Sequence, residues 1–174
     1  VLAIHAPAFG EEAFRSAKAM GNFSEGYAAF SDENDQWGYI DRQGNVVIAP
    51  AWNLADCFIG GVARVGTADH LYGYINTAGQ EIFPTICSAA SDFHDGLATV
   101  AVDGEYGFIR TDGSYAFDGR WADAGYFSDG LAYVQIGGQY GFIDATGSVV
   151  IAPQWDRAYS FSEGYAAVEK DGLW

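Results

Sequence analysis

Three histidines, two cysteines and a recurring set of aspartates are the groups in this chain that could do chemistry. His5, His70 and His94 could serve as general bases or metal ligands, and Cys57 and Cys87 as nucleophiles, ligands or a disulfide. No constellation forms from them. The histidines sit in unrelated local contexts, and none has a Ser, a Cys or a second His at a repeated offset, so we read them as surface or loop residues. Cys57 and Cys87 fall at different places in the pattern described below, which points to free, mostly buried thiols rather than a bridge. Asp41, Asn76 and Asp144 do recur, as paired carboxylates for acid–base work would. Each, however, stands three residues before a glycine (Gly44, Gly79, Gly147), where its side-chain oxygen accepts backbone amides of a turn. Turn-making accounts for them without catalysis.

Two further sets could bind rather than react. Asp32-Glu33-Asn34-Asp35 offers the hard oxygen ligands that Ca2+ prefers, but lacks the spacing and central glycine of a dedicated loop. We read it as a solvated tip. Trp52, Trp121 and Trp155 could form a sugar-stacking row, although a tryptophan recurring in a connector reads first as a plug between packed units. No glycine-rich run opens a helix, so no phosphate loop is present. We expect no catalytic residue, no metal and no cofactor.

The elements that position these residues are repeated. Phe-x-x-Gly occurs at Phe23, Phe58, Phe93, Phe127 and Phe161, spaced by 35, 35, 34 and 34 residues. An aromatic-glycine pair occurs at Trp37, Tyr72, Tyr106 and Tyr140, always 21 residues before the next such Phe. All length variation therefore falls between Phe and the pair, in one loop, which marks that loop as the solvent-facing tip. Around these anchors each unit reads as a three-stranded antiparallel meander. In the unit from Phe127 the strands are Leu131 to Val134, Tyr140 to Asp144, and Val149 to Ile151, the last ended by Pro153. The hairpin turns are Gly137-Gly138, with Asp103-Gly104 and Asp171-Gly172 as counterparts. Strands such as Val149-Val150-Ile151 are apolar on both faces and should be buried on both.

Phe-Ser-Glu-Gly-Tyr-Ala-Ala, then Trp-Gly-Tyr-Ile-Asp-x-x-Gly-x-Val-Val-Ile-Ala-Pro, then Trp-Asp-x-Ala-x-x-Phe, resembles the bacterial WG-containing β-repeat over residues 21–174. Tyr at 72, 106 and 140 departs from its Trp, Cys87 from its connector Trp, and Arg110 from its turn Asp. The resemblance implies a repeat module often joined to other domains, with no shared catalytic activity and no ligand to carry over.

The expected fold is all-β: a tandem array of three-stranded units near 23–57, 58–92, 93–126 and 127–160, with a partial unit at 161–174. An open solenoid-like stack is favoured, and a propeller whose connector adds a short fourth strand is the alternative. Residues 1–20 read as a degenerate or capping repeat or a leader, Gly10 to Phe14 aligning with Gly79 to Phe83, and the chain as part of something longer. A net charge of −15 opposes a phosphate backbone, excluding nucleic acid, and no apolar run approaches the roughly 18 residues of a membrane helix. An extracytoplasmic or cell-surface place is favoured. Function is expected to be non-enzymatic: a protein-binding or assembly module docking through the tips at Asp32, Glu33, Asp35, Asp69, Asp103 and Glu105. The alternative is a carbohydrate- or envelope-binding module using Trp52, Trp121 and Trp155.

Overall fold

The computed structural model describes residues 17–174. The cap or leader expected at residues 1–20 lies, up to residue 16, outside the described residues, and His5 with it. The chain divides into two compact units, one ending at Thr85 and the other beginning at Ile86.

The repeat is expressed as a four-stranded antiparallel meander. The first sheet orders β1 (Ala19–Met20), β2 (Tyr27–Ser31), β3 (Trp37–Asp41) and β4 (Val46–Trp52); the second orders β5 (Leu54–Ala55), β6 (Val62–Gly66), β7 (Tyr72–Asn76) and β8 (Glu81–Cys87). β9 (Ala89–Ala90), β10 (Leu97–Val102) and β11 (Glu105–Arg110) form a third sheet. β12 (Leu131–Ile136), β13 (Gln139–Asp144) and β14 (Val149–Trp155) form a fourth, and β15 (Arg157–Ala158) with β16 (Val168–Glu169) a fifth. The connector after each Trp position therefore carries a strand of its own. In the fourth sheet it shrinks to a single bridge, Ala124 to Val134. An array of β-repeats is what the periodicity predicts; the extra short strand is what the three-stranded reading of the unit lacked.

Two further readings of the strands are corrected. The third strand does not stop before Pro153 but runs on to Trp155. Tyr140 pairs with Trp155 and Phe142 with Ile151, so Gly141 alone faces Ala152, Pro153 and Gln154. Pro153 sits in a bulge, where its missing amide breaks no ladder bond. Nor is this strand buried on both faces: Val46 and Val149 are about half exposed. The doubly buried strands are the central ones, β3, β7, β11 and β13, whose middle three residues are buried in every copy.

The bulge explains the glycine of each aromatic-glycine pair. A Cβ at Gly38 would lie 2.4 Å from the Ile48 carbonyl oxygen, at Gly73 2.8 Å from that of Phe83, and at Gly141 2.5 Å from that of Ile151. Backbone presses on backbone there, and no side chain fits. The third copy is looser. Residues 111–120 form no regular outer strand, and the neighbours of Gly107 are the Tyr115 ring and the Arg120 side chain.

The recurring Phe joins one repeat to the one before it. Phe58 packs 4.7 Å from Tyr39, Phe127 4.9 Å from Phe108, and Phe161 4.9 Å from Phe142, ring centre to ring centre. Phe58 and Phe127 are almost completely buried, each at the middle of a core drawn from two consecutive repeats. Burial on that scale contributes about 1.5–3 kcal/mol per ring. A carboxylate clip runs alongside. Glu25 accepts the amides of Gly60 and Gly61 at 2.7 and 2.8 Å, Asp95 that of Gly130, and Asp129 that of Gly164. These acids are the third residue of each Phe-x-x-Gly box and adopt left-handed backbone, φ 50–53°. The second box has Gly60 there instead and can form no such clip.

The turns after the central strands are those the sequence predicts. Gly44, Gly79, Gly113 and Gly147 have φ of 82, 77, 82 and 83°. Asp41 Oδ1 accepts the amides of Gln43 and Asn45, Asn76 Oδ1 those of Ala78 and Gln80, and Asp144 Oδ1 those of Thr146 and Ser148. Where Arg110 replaces the acid, Asp112 accepts from Ser114 instead, and Arg110 ties down the Tyr115 and Ala116 carbonyls. The Asn45 side chain holds the Asp41 carboxyl below its ordinary value of 3.8, and the Thr146 hydroxyl does the same for Asp144. A carboxyl depressed in the fold stabilises it above the unfolded value and loses that contribution as pH falls through the folded value. We expect Asp144→Asn to be less stable than wild type at pH 7, with the difference closing below pH 3.8. The matching change in the second repeat is already present as Asn76. Paired denaturant titrations from pH 7 to 2.5 check this; a gap that persists at the acid end contradicts it.

Candidate binding surface

The meander sends four kinds of loop to two ends of each sheet. Trp37 pairs with Trp52 and Tyr140 with Trp155, so the β2–β3 and β12–β13 tips lie at the same end as the connectors that follow β4 and β14. The Phe-x-x-Gly turns and the aspartate turns lie at the other. The latter end is consumed by clips and caps. The tip end is where residues without a repeated role collect.

The tips come in two geometries. At 32–36 and 67–71 the backbone closes as it does at Asp41–Asn45, with Asp35 and His70 in the left-handed place that Gly44 fills (φ 61 and 58°). Asp32 is committed to its own turn, its Oδ1 accepting the amides of Asn34 and Gln36 at 2.9 Å, and is half-buried. Asp35 pairs with Lys18 at 2.6 Å. In the two-residue tips Asp103-Gly104 and Gly137-Gly138 both residues have positive φ, as a mirror-image turn requires. Glu33, Asp69, Asp103 and Glu105 are exposed, and none has a turn-capping role. Beside the second tip a hollow of about 410 Å3 is lined by Asn53, Leu54, Thr67, His70 and Tyr72. That volume is in the range of about 300–1,000 Å3 typical of ligand clefts. His70, unremarkable in sequence, is thereby placed on it.

The tryptophans divide their surface. Trp52 and Trp121 are half-buried against the two cores, Trp121 lying edge-on 5.5 Å from Phe108, and Trp155 is half-buried with Lys170 about 6.0 Å over its ring. Each faces the aromatic of its own repeat's pair, Trp37, Tyr106 or Tyr140, across the ladder. The plug between repeats is the phenylalanine, and the tryptophan seals the outer edge beside it. Cys87, at the corresponding position in the second repeat, is fully buried, and burial pushes its thiol up to about 11. Cys57 is also unbridged but exposed, unlike the mostly buried pair expected.

Sequence reasoning missed one pair of positions that varies in concert. The residue two before each Phe donates its amide to the carbonyl of the residue six after it, joining the first two strands of the sheet. The occupants are Gly21 with Ala29, Asp56 with Arg64, Ser91 with Thr99, Gly125 with Tyr133, and Tyr159 with Ala167. Their side chains are fitted to each other. Arg64 Nε meets Asp56 Oδ2 at 2.7 Å, Ser91 Oγ accepts the Thr99 amide, and a Cβ at Gly125 would lie 2.2 Å from the Tyr133 ring. The signal was in the sequence: the preceding residue is alanine in all five copies (Ala28, Ala63, Ala98, Ala132, Ala166), while this pair never repeats.

In the second unit two of these pairs border a cavity of about 210 Å3, lined by Ser91, Thr99, Gly125, Tyr106, Tyr126 and Tyr133 among others. Thr99 Oγ1 donates to the Gly125 carbonyl at 2.9 Å in its wall. Beside it, Tyr140 donates its hydroxyl to Asp123 Oδ2 at 2.8 Å, and burial together with that carboxylate pushes the Tyr140 phenol up to about 12. Burial first, and Asp123 second, raise Tyr133 as well.

The family described as "WG containing repeat" matches at residues 37–67, 72–106, 106–140 and 140–174. No curated protein matches the chain. Among solved structures, KlHsv2 with loop 6CD replaced by a Gly-Ser linker superposes with a TM-score of 0.51 at 14% identity, over 88% of this chain and 60% of that one. The computationally designed Ika8 protein gives 0.47 at 14%, over 90% and 56%, and BamB from Moraxella catarrhalis 0.45 at 14%, over 76% and 51%. The chain thus spans between about half and three fifths of these structures. The likeness to KlHsv2 bears on the fold alone.

Proposed function

The chain belongs to the WG-containing repeat family, and from that premise we propose that it is a non-enzymatic interaction module that docks a basic protein partner through the tip end of its sheets. The observation that carries this reading is the division of labour among the acidic residues. Asp41, Asp112 and Asp144 cap turns, and Glu25, Asp95 and Asp129 clip repeats together. Glu33, Asp69, Asp103 and Glu105 do neither, are exposed, and sit in or directly beside the tips, whose length varies from repeat to repeat. Such a surface attracts a positively charged partner and does so less as salt rises. The same division speaks against catalysis, because these recurring carboxylates already have structural tasks. A carbohydrate reading is the weaker one, since Trp52 and Trp121 give part of their ring surface to the cores.

A photo-crosslinking residue at position 33, 69 or 105, introduced in the producing cells, captures the partner for identification. The purified partner should then lose binding to the variant Glu33→Gln, Asp69→Asn, Asp103→Asn, Glu105→Gln by about tenfold or more at physiological salt. That variant should melt close to wild type, because surface changes away from caps move stability by about 0.5 kcal/mol or less. Binding that survives the fourfold change places the interface on another face.

A further inference from the structure

The cavity in the second unit has a chemistry of its own, unconnected with the tip acids. Three tyrosine rings, Tyr106, Tyr126 and Tyr133, contribute to its wall. The two aliphatic hydroxyls that face it are already engaged. Ser91 Oγ donates to the Asp92 carbonyl at 2.7 Å and accepts the Thr99 amide at 2.9 Å, while Thr99 Oγ1 donates to the Gly125 carbonyl. Beyond the phenol hydroxyls, the wall is ring, methyl and backbone surface. A primary ammonium, which needs acceptors for three N–H groups, would be poorly served there. A neutral apolar ligand would be served by the rings but would ignore the field of the neighbouring Asp123 carboxylate, which Tyr140 holds in place at 2.8 Å. A fully methylated, quaternary ammonium answers to both. It carries a positive charge attracted to ring faces and to the carboxylate, presents only methyl groups to its surroundings, and needs no hydrogen bond.

The room fits that group. About 210 Å3 is below the size of clefts that take drug-sized molecules, and suits a compact cationic head. The paired positions set the wall: with no Cβ at Gly125 the Tyr133 ring can lie directly against the backbone there, where a Cβ would strike it. In the second repeat the same pair is Asp56 with Arg64, an ion pair that would repel a cation from its guanidinium side.

We propose that the tyrosine-lined cavity between the Ser91–Thr99 and Gly125–Tyr133 pairs is a binding site for a quaternary trimethylammonium group. The group could belong to a free small molecule or to a trimethylated lysine of a polypeptide, and the chemistry of recognition is shared. None of Glu33, Asp69, Asp103 and Glu105 lines the cavity, so failure of this proposal leaves the docking proposal intact, and the reverse.

The test is a calorimetric titration of the whole chain with choline chloride, against its neutral isostere 3,3-dimethylbutan-1-ol at matched ionic strength. Choline should saturate one site, and the isostere should bind at least about threefold more weakly, as expected for a cation over partly exposed aromatic rings. Asp123→Asn, which keeps an acceptor for Tyr140, should weaken choline and leave the isostere unchanged. Tyr126→Leu should weaken choline as well; Tyr126 is 44% exposed, so the fold tolerates the change. The fourfold tip variant should bind choline as wild type does. A peptide carrying trimethyllysine, compared with its unmodified form, separates the sources: tighter binding than choline assigns the site to a protein ligand, weaker to a free cation. Equal affinity for choline and the isostere, or saturation by neither choline nor the methylated peptide, overturns the proposal.

Discussion

Gly141→Ala should cost about 3 kcal/mol or more, while the same change at Gly107 should stay within about 1 kcal/mol of wild type. Both glycines belong to an aromatic-glycine pair and both are buried. They differ in what a methyl group would strike. At Gly141 it would be 2.5 Å from the Ile151 carbonyl oxygen and 2.8 Å from the Pro153 nitrogen, atoms of a paired strand that can yield only if the bulge opens. At Gly107 it would be 3.2 Å from the Tyr115 ring and 3.3 Å from Arg120 Nη1, side-chain atoms that can swing aside. Neither glycine has the left-handed backbone that would add strain of its own. The measurement is chemical denaturation followed by tryptophan fluorescence, with Trp155 reporting on the fourth sheet and Trp121 on the third. Repeat arrays need not unfold in one step, so the loss at Gly141 should appear first in the transition of the second unit. Equal losses at the two glycines would mean that the pair's glycine is kept for backbone freedom rather than for close approach.

The contrast shows where the sequence was legible. Its period, its turns and its tips could be read because each is written in residues with one physical meaning: Gly44 or Gly147 three places after an acid, Asp103-Gly104 at a hairpin. What could not be read depends on partners distant in sequence. Val149-Val150-Ile151 looks like a doubly buried strand, yet it forms the outer edge, because nothing local distinguishes a sheet's centre from its rim. Pro153 looks like a strand end, yet it sits in a bulge whose cause is Gly141, twelve residues earlier. The short connector strands, two residues each in β5 and β9, are too brief for any alternation to show. The clip role of Glu25, Asp95 and Asp129 could not be read locally, because the amides they accept belong to the next repeat, 35 residues on. The tyrosine cavity needs two such repeats at once and has no motif at all.

Phe127→Ala should be the most damaging truncation in the second unit, at about 3–5 kcal/mol, and should exceed Trp155→Ala clearly. Repetition alone does not rank the two, since both aromatics recur at fixed spacing and either could be the plug between repeats. Packing ranks them. Phe127 is 1% exposed and sits among Leu97, Phe108, Ala124, Ala132, Val134 and Ile143, residues of two consecutive repeats. Removing its ring leaves a void walled by β-strands that cannot collapse without breaking their ladders, so the penalty of lost transfer energy and that of the cavity add. Trp155 is half-buried at the rim, opposite Tyr140, where water can take the place of its ring. Its loss should cost about half as much or less, in proportion to the apolar surface withdrawn from water. Phe161→Ala supplies the internal control. It occupies the same place in the next repeat and meets Phe142 at 4.9 Å, but it is itself only half-buried. It should fall between the other two. Equilibrium denaturation of the three variants gives the order directly. Trp155 emerging as the costliest would move the joint between repeats from the phenylalanine to the connector, and the core drawn around Phe127 would have to be reassigned.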